Sequence, residues 1–208
     1  MANLAGDSNR NTLYGTPQDD IIAGYADNDN LYGYEGNDYL FGDGRVSGSD
    51  TTGNDYLFGG RGNDTLNGGS GNDYIDGAAY NIVPNQDWQG VGEYDVLIGG
   101  SGNDTFVLGD RIGSYYQNKA DTVGFALITD FDPGRDTIVL AGLPEFYSFQ
   151  ASSVNLYTGN PDTGTAIYLN GSHSPTGRLD LIAYIQGVPL SNLEPTSGQF
   201  EFVSSQML

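Results

Sequence analysis

Aspartates recur in this chain at a fixed place in a nine-residue phrase, Gly-Gly-x-Gly-Asn-Asp-x-Leu-x. Its cleanest copies run Gly59-Gly60-Arg61-Gly62-Asn63-Asp64-Thr65-Leu66-Asn67, Gly68-Gly69-Ser70-Gly71-Asn72-Asp73-Tyr74-Ile75-Asp76 and Gly99-Gly100-Ser101-Gly102-Asn103-Asp104-Thr105-Phe106-Val107. A carboxylate behind a glycine-rich turn sets charged oxygens beside bare backbone carbonyls. Repeated in tandem, such turns stack into oxygen cages that suit a hard divalent cation such as Ca²⁺. The acids keep phase with the glycines, which reads as ligation rather than as paired acid/base chemistry.

The elements that must hold these turns follow from the register. Aligned on the sixth position, the series is Asp20, Asp29, Asp38, Asp55, Asp64, Asp73, Asp95 and Asp104, with spacings of 9, 9, 17, 9, 9, 22 and 9. The two long gaps are insertions of 8 and 13 residues, which enlarge the turns near Gly42–Ser49 and Gly77–Gln89. A degenerate first copy spans Gly6–Tyr14, with Asn11 in place of the acid. The eighth position reads Leu13, Ile22, Leu31, Leu40, Leu57, Leu66, Ile75, Leu97 and Phe106, all large and apolar. Positions seven to nine read as a three-residue strand with its middle side chain inward. The glycines at positions one, two and four permit the positive φ of a tight turn. Two such units make an 18-residue coil of a right-handed parallel β-roll, an all-β solenoid whose coils stack about 4.8 Å apart. Carboxylates at that spacing repel by roughly 1–3.5 kcal/mol per pair, and a divalent ion between them reverses the sign. One inward side chain per nine residues is a thin core, so folding and ion binding are expected to be one equilibrium.

Composition agrees. The 208 residues carry 27 acidic and 7 basic groups, a net charge of -20. That balance argues against nucleic acid and anionic membrane surfaces as partners. Residues 1–107 hold 17 of the acids and 21 of the 32 glycines, which sets a boundary near Val107. Two domains are expected, a cation-binding roll over 6–107 and an antiparallel β cap over 108–208. There is no cysteine, so disulfides and thiolate metal sites are excluded. Residues Met1–Asp7 lack an apolar h-region, so a Sec-type signal peptide is not expected from them, and no apolar run reaches the ~18 residues of a membrane span.

These motifs resemble the RTX (repeats-in-toxin) family over residues 6–107. The resemblance implies how each Ca²⁺ is held: between two loops one coil apart, the earlier giving the carbonyls of positions two and four plus its Asp, the later those of positions one and three plus its Asp. Six sites follow. Thr16, Gln18 and Asp20 would meet Gly33, Glu35 and Asp38. Tyr25, Asp27 and Asp29 would meet Asp50, Thr52 and Asp55. Tyr34, Gly36 and Asp38 would meet Gly59, Arg61 and Asp64. Thr51, Gly53 and Asp55 would meet Gly68, Ser70 and Asp73. Gly60, Gly62 and Asp64 would meet Gly90, Gly92 and Asp95, and Gly69, Gly71 and Asp73 would meet Gly99, Ser101 and Asp104. A seventh set, Asp7, Asn9 and Asn11 with Gly24, Ala26 and Asp29, has Asn11 where the charge belongs. Gln18, Asp27 and Glu93 depart from glycine at position four, and the sites of the inserted loops depart most. The resemblance further implies a secreted, extracellular protein exported by type I secretion machinery, with its signal near Gly198–Leu208.

Beyond Val107 six strands are expected: Phe125–Phe131, Thr137–Leu140, Ser153–Tyr157, Thr165–Leu169, Leu179–Gln186 and Phe200–Val203. The stretch Ile128–Ile138 reads as a hairpin turning at Pro133-Gly134. Asp110, Asp121 and Asp130 are candidates to complete the half-sites of Asp95 and Asp104. Hydrolase, zinc-protease and phosphate-loop motifs are absent, and the lone His173 reads as an exposed loop residue. The expected function is therefore a non-catalytic calcium-binding protein. The rival readings are an adhesin or glycan-binding module, for which Trp88 with Tyr80 and Asn85 would be the contact, and the C-terminal module of a larger secreted hydrolase or epimerase. Outward Tyr39, Tyr56 and Tyr74 read as cross-strand neighbours.

Overall fold

The computed structural model describes residues 1–44, 52–78, 90–110, 114–116, 124–154, 162–174, 177–194 and 198–203. Within them lie sixteen strands: β1 (Asn3–Ala5), β2 (Thr12–Tyr14), β3 (Ile21–Tyr25), β4 (Asn30–Glu35), β5 (Tyr39–Asp43), β6 (Tyr56–Arg61), β7 (Thr65–Ser70), β8 (Tyr74–Asp76), β9 (Tyr94–Ser101), β10 (Thr105–Val107), β11 (Phe125–Ile128), β12 (Thr137–Ala141), β13 (Tyr147–Val154), β14 (Asp162–Leu169), β15 (Asp180–Gln186) and β16 (Phe200–Val203). A nine-residue period sends successive strands to opposite sides. Through β12 the odd strands fall in one sheet and the even strands in the other, all in parallel.

The insertions leave the register intact. Leu13 pairs with Leu31, Leu31 with Leu57 and Leu57 with Ile75. In the other sheet Ile22 pairs with Leu40, Leu40 with Leu66 and Leu66 with Leu97. Every expected inward residue from Ile22 to Phe106 has no exposed surface, while Leu13, in the first coil, is partly buried. Several strands exceed three residues because pairing continues into the loops, as in Gly69 against Gly100 and Ser70 against Ser101.

Past Val107 the strands form largely where expected, but their pairing differs. Strand β11 pairs in parallel with β9 and β15, and β12 with β10 and β16. The antiparallel part is β13–β14–β15 at the sheet's end. The hairpin expected at Ile128–Ile138 is absent, for β11 and β12 lie in different sheets. The reason is that Phe131-Asp132-Pro133-Gly134-Arg135-Asp136-Thr137-Ile138-Val139 is another worn copy of the repeat. Asp136 accepts the Asp104 amide at 3.0 Å, and Ile138 pairs with Phe106. One apolar core therefore runs unbroken from Ile22 through Phe106 and Ile138 to Phe200.

Replacing Leu66, wholly buried between Leu40 and Leu97, by Ala should lower calcium-loaded stability by about 2–5 kcal/mol in denaturant titration. Tyr39→Ala, at a side chain 50 % exposed, should change it by less than about 0.5 kcal/mol.

Candidate metal centre

The aspartates of the repeat form two ladders. In one, the backbone N–H of Asp20 donates to Asp38 Oδ1 (2.7 Å), that of Asp38 to Asp64 Oδ1 (2.8 Å) and that of Asp64 to Asp95 Oδ1 (2.8 Å). In the other, the amide of Asn11 donates to Asp29 (2.7 Å), Asp29 to Asp55 (2.7 Å), Asp55 to Asp73 (2.8 Å) and Asp73 to Asp104 (2.9 Å). A second pair of ladders runs the other way at position five. Asn54, Asn72 and Asn103 donate their amides to the side-chain oxygens of Asn28, Asn54 and Asn72, and Asn63 donates to Asn37.

Each carboxylate has a second oxygen. Oδ2 of Asp29, Asp38, Asp55, Asp64 and Asp73 is buried and has no hydrogen-bond partner. The space beside it is defined by the position-one glycine. A Cβ on Gly33 would lie 2.3 Å from Asp38 Oδ2 and 2.5 Å from the Gly59 carbonyl oxygen. On Gly24 it would meet Asp29 Oδ2 and the Gly42 carbonyl, on Gly42 Asp55 Oδ2 and the Gly68 carbonyl, and on Gly59 Asp64 Oδ2 and the Gly77 carbonyl. These glycines do not have positive φ; they are glycine because oxygens converge where a side chain would stand. Positions two and four are the left-handed ones, occupied by Tyr25, Asp27, Tyr34, Gly36, Gly60, Gly62, Gly69, Gly71, Gly100 and Gly102.

Parts of the predicted sets come together. The Gly36 amide donates to the Arg61 carbonyl at 2.9 Å, Gly53 to Ser70 at 3.0 Å, Gly71 to Ser101 at 2.8 Å and Asp27 to Thr52 at 3.2 Å. The position-four carbonyls of Gly36, Gly53 and Gly71 face the α-carbons of Gly62, Gly71 and Gly102. The Gln18 carbonyl faces Gly36, and Thr16 donates its amide (2.6 Å) and hydroxyl (2.8 Å) to Asp20 Oδ2.

The inserted loops differ from the expectation. Asp50 and Thr51 lie outside the described residues. Gly42 and Asp43 hold positions one and two of that loop, with Tyr25 pairing Asp43. In the second, Gly77 replaces Gly90 at position one and its carbonyl accepts the Gly60 amide at 2.9 Å, while Gly90 lies against the Tyr116 ring. The signal was present: counting four residues forward from the previous Asp, rather than five back from the next, lands on Gly42 and Gly77. Asp136 was missed because Pro133 suggested a hairpin. Of the candidate completing acids, Asp130 accepts the Gly99 (2.9 Å) and Gly100 (2.7 Å) amides, and Asp121 lies outside the described residues. Tyr116 completes Asp95, donating its hydroxyl to Oδ2.

Burial pushes these carboxyls upward: Asp29 to about 6, Asp38 and Asp55 to about 7, Asp73 to about 8 and Asp104 to about 6. Asp64 and Asp95 rise by burial, Asp64 also by the charge of Asp95. At Asp20 burial also pushes upward, but hydrogen bonds from Ala2 and Thr16 outweigh it and hold the group below its usual value.

Among the described residues no three side-chain ligands cluster at one point. Any ion here takes two aspartates and backbone carbonyls, an all-oxygen set that fits Ca²⁺. The orphaned Oδ2 atoms and the oxygen-lined gaps over the glycines meet that requirement. Several outward aromatics stack on one another: Tyr14 on Tyr32 at 5.1 Å, Tyr32 on Phe58 at 5.0 Å and Tyr56 near Tyr74 at 5.5 Å. Trp88, Tyr80 and Asn85 lie outside the described residues. Exposed His173 stacks on Phe146. No helix among the described residues is long and apolar enough to cross a membrane.

Residues 5–44, 49–79 and 89–110 match the family model of the RTX calcium-binding nonapeptide repeat (4 copies). No curated protein matches the chain. Among solved structures, the chain is similar to the AlgE6R3 subunit of the Azotobacter vinelandii mannuronan C5-epimerase, with 20 % identity and a TM-score of 0.29, over 92 % of this chain and 81 % of that one. It is also similar to the extracellular lipase LipA of Serratia marcescens, with 15 % identity and a TM-score of 0.37, over 91 % of this chain and 39 % of the lipase.

Two outcomes follow. Gly59→Ala puts a methyl group against Asp64 Oδ2 and the Gly77 carbonyl, and should cost about 1–3 kcal/mol in calcium-loaded denaturation. The raised carboxyls, near 4 when unfolded, bind more protons in the folded state. Stability of the metal-free roll should therefore fall as pH rises from about 4 through 6 to 8. Circular dichroism in chelator checks this, and a β signal growing with pH would contradict it.

Proposed function

Through its repeat region the chain belongs to the family of RTX calcium-binding nonapeptide repeats, and from that premise we propose that it is a non-catalytic, secreted calcium-binding protein whose roll folds as about six Ca²⁺ bind between its coils. The observation that carries this reading is the row of buried, unpartnered Asp Oδ2 atoms facing later-coil carbonyls. Bound Ca²⁺ supplies the positive charge that these oxygens lack. Asp38, Asp64, Asp55 and Asp73 each bridge two gaps, giving Oδ1 toward the earlier coil and Oδ2 toward the later. Backbone carbonyls of positions one to four complete each cage.

The same electrostatics favours export before folding. At net charge -20 the metal-free chain repels itself and stays extended in low calcium, the state a narrow type I channel accepts. Millimolar calcium outside then drives the fold. The proposed signal, Gly198–Leu208, includes strand β16, and residues 204–208 lie outside the described part.

Far-ultraviolet circular dichroism tests the reading. In EDTA at neutral pH the β signal should be largely lost, and calcium should restore it more effectively than equimolar magnesium. An unchanged spectrum in EDTA would overturn calcium-driven folding. Asp64→Asn should weaken both ions that it bridges in calorimetric titration, whereas Asn192→Ala in the cap should weaken none.

A further inference from the structure

We propose that Thr16 latches shut the first of the six cation positions, the gap between loops 15–20 and 33–38, so that Ca²⁺ enters it last and at higher concentration than the others. The inference rests on the roll being a calcium binder and concerns the order in which its positions fill.

The uninterrupted loops take two states, set by the backbone at position two. In the open state that residue is left-handed, as at Tyr25, Tyr34, Gly60 and Gly69. Its backbone then pairs with the next coil: Tyr25 with Asp43, Tyr34 with Gly60 and Gly69 with Gly100, and the Gly60 amide donates to the Gly77 carbonyl at 2.9 Å. The carboxylate of such a loop receives no donor at its second oxygen. Oδ2 of Asp29, Asp38, Asp64 and Asp73 is buried and unpartnered.

In the closed state the position-two amide turns back to the position-six side chain of its own loop. Asp7 donates to Asn11 Oδ1 at 2.7 Å, Thr16 to Asp20 Oδ2 at 2.6 Å and Asp132 to Asp136 Oδ2 at 2.7 Å. None of these three donors has positive φ. Of the three loops, only 15–20 belongs to one of the six expected positions.

Loop 15–20 is closed twice over. The Thr16 hydroxyl also donates to Asp20 Oδ2, at 2.8 Å, and the Ala2 amide donates to Asp20 Oδ1. Both oxygens of this carboxylate, 1 % exposed, therefore have protein donors. Its Oδ2 also stands back from the gap. A Cβ on Gly15 would lie 3.0 Å from it, against 2.1 Å, 2.3 Å, 2.5 Å and 2.2 Å for the matching glycines of the Asp29, Asp38, Asp64 and Asp73 loops. An ion entering here must break hydrogen bonds to a charged group that the open loops do not make.

The cause is legible in the chain. Proline stands at position three in two copies of the repeat, Pro17 and Pro133, and both loops are closed. A proline steers the residue before it to extended backbone. Thr16 and Asp132 are thereby kept from the left-handed conformation that opens a loop.

The test is a calcium titration of the whole chain, with bound ions counted by native mass spectrometry. Wild type should take up its last ion at calcium about tenfold or more above that which fills the rest. Thr16→Gly combined with Pro17→Ser removes the hydroxyl and the constraint together, and should bring that ion into the main class. Thr16→Ala alone, which keeps the amide, should move it part of the way. Asp20→Asn should lose the late ion and keep the early ones. Circular dichroism at saturating calcium checks that each variant is folded. Six ions of one class in wild type, an opened variant that titrates like wild type, or an Asp20→Asn variant that loses an early ion would overturn the latch while leaving the calcium reading intact. Wild type that binds no calcium would sink both.

Discussion

Buried like charge at strand spacing is the constraint on which this molecule depends. A parallel solenoid repeats every side chain at the inter-strand distance of about 4.8 Å. A carboxylate at one position of the repeat is therefore multiplied into a row. Here the rows are not at the surface: Asp29, Asp38, Asp55, Asp64, Asp73, Asp95 and Asp104 are each at most 2 % exposed. One oxygen of each is satisfied by a backbone amide. The other, in the interior coils, faces carbonyl oxygens, the wrong sign for it. A proton, a cation or a hydrogen-bond donor resolves that arrangement, and the glycines at position one let the oxygens converge where a side chain would stand. The upward displacement of the carboxyls and the oxygen-lined gaps express the same frustration.

Other interactions hold register without regard to charge. The asparagine ladders at position five run from earlier side chain to later amide, opposite in sense to the aspartate ladders, so successive loops are tied in both directions. The outer aromatics stack along the even sheet from Tyr14 to Phe58. Leucines pair through the interior in unbroken register across both insertions. These contacts specify which coil lies on which, but they supply no positive charge. The roll thus separates two tasks: apolar and amide ladders choose the geometry, and the charge of the buried carboxylates has to be met by something else, which on the proposed reading is the cation.

Much of this could be read from the residues. The phase of Asp, Gly and Leu gave the coil length, the strand centres and the aspartate ladders, because a period of nine residues leaves few choices. What the residues concealed has physical causes. An insertion can enter a loop anywhere, and spacing alone does not say on which side the regular backbone resumes; Gly42 and Gly77 thus took the places assigned to Asp50 and Gly90. Glycine is chosen for two unlike reasons, left-handed φ at positions two and four and plain space at position one, and composition does not separate them. The copy ending in Asp136 lacks all but one of its glycines, and Pro133 disguised it as a hairpin. Its aspartate nonetheless accepts the Asp104 amide just as the earlier ones do for theirs.

The end of the roll shows how the same frustration is resolved without a cation. At Asp95 the fully buried Tyr116 donates its hydroxyl to the oxygen left orphaned elsewhere. At Asp136 the second oxygen takes the Asp132 amide at 2.7 Å, and Asp132 is in turn tied to Arg135 at 2.8 Å. Each ladder therefore terminates on a protein donor, one a phenol and one an amide backed by a guanidinium. Beyond those two donors the core continues with Ile138, Ile167, Ile182 and Phe200, and among the described residues the sheets carry no further aspartate ladder. The second oxygens of the aspartates thus lie unpartnered in the interior coils and acquire protein donors at Asp95 and Asp136, where the two ladders end.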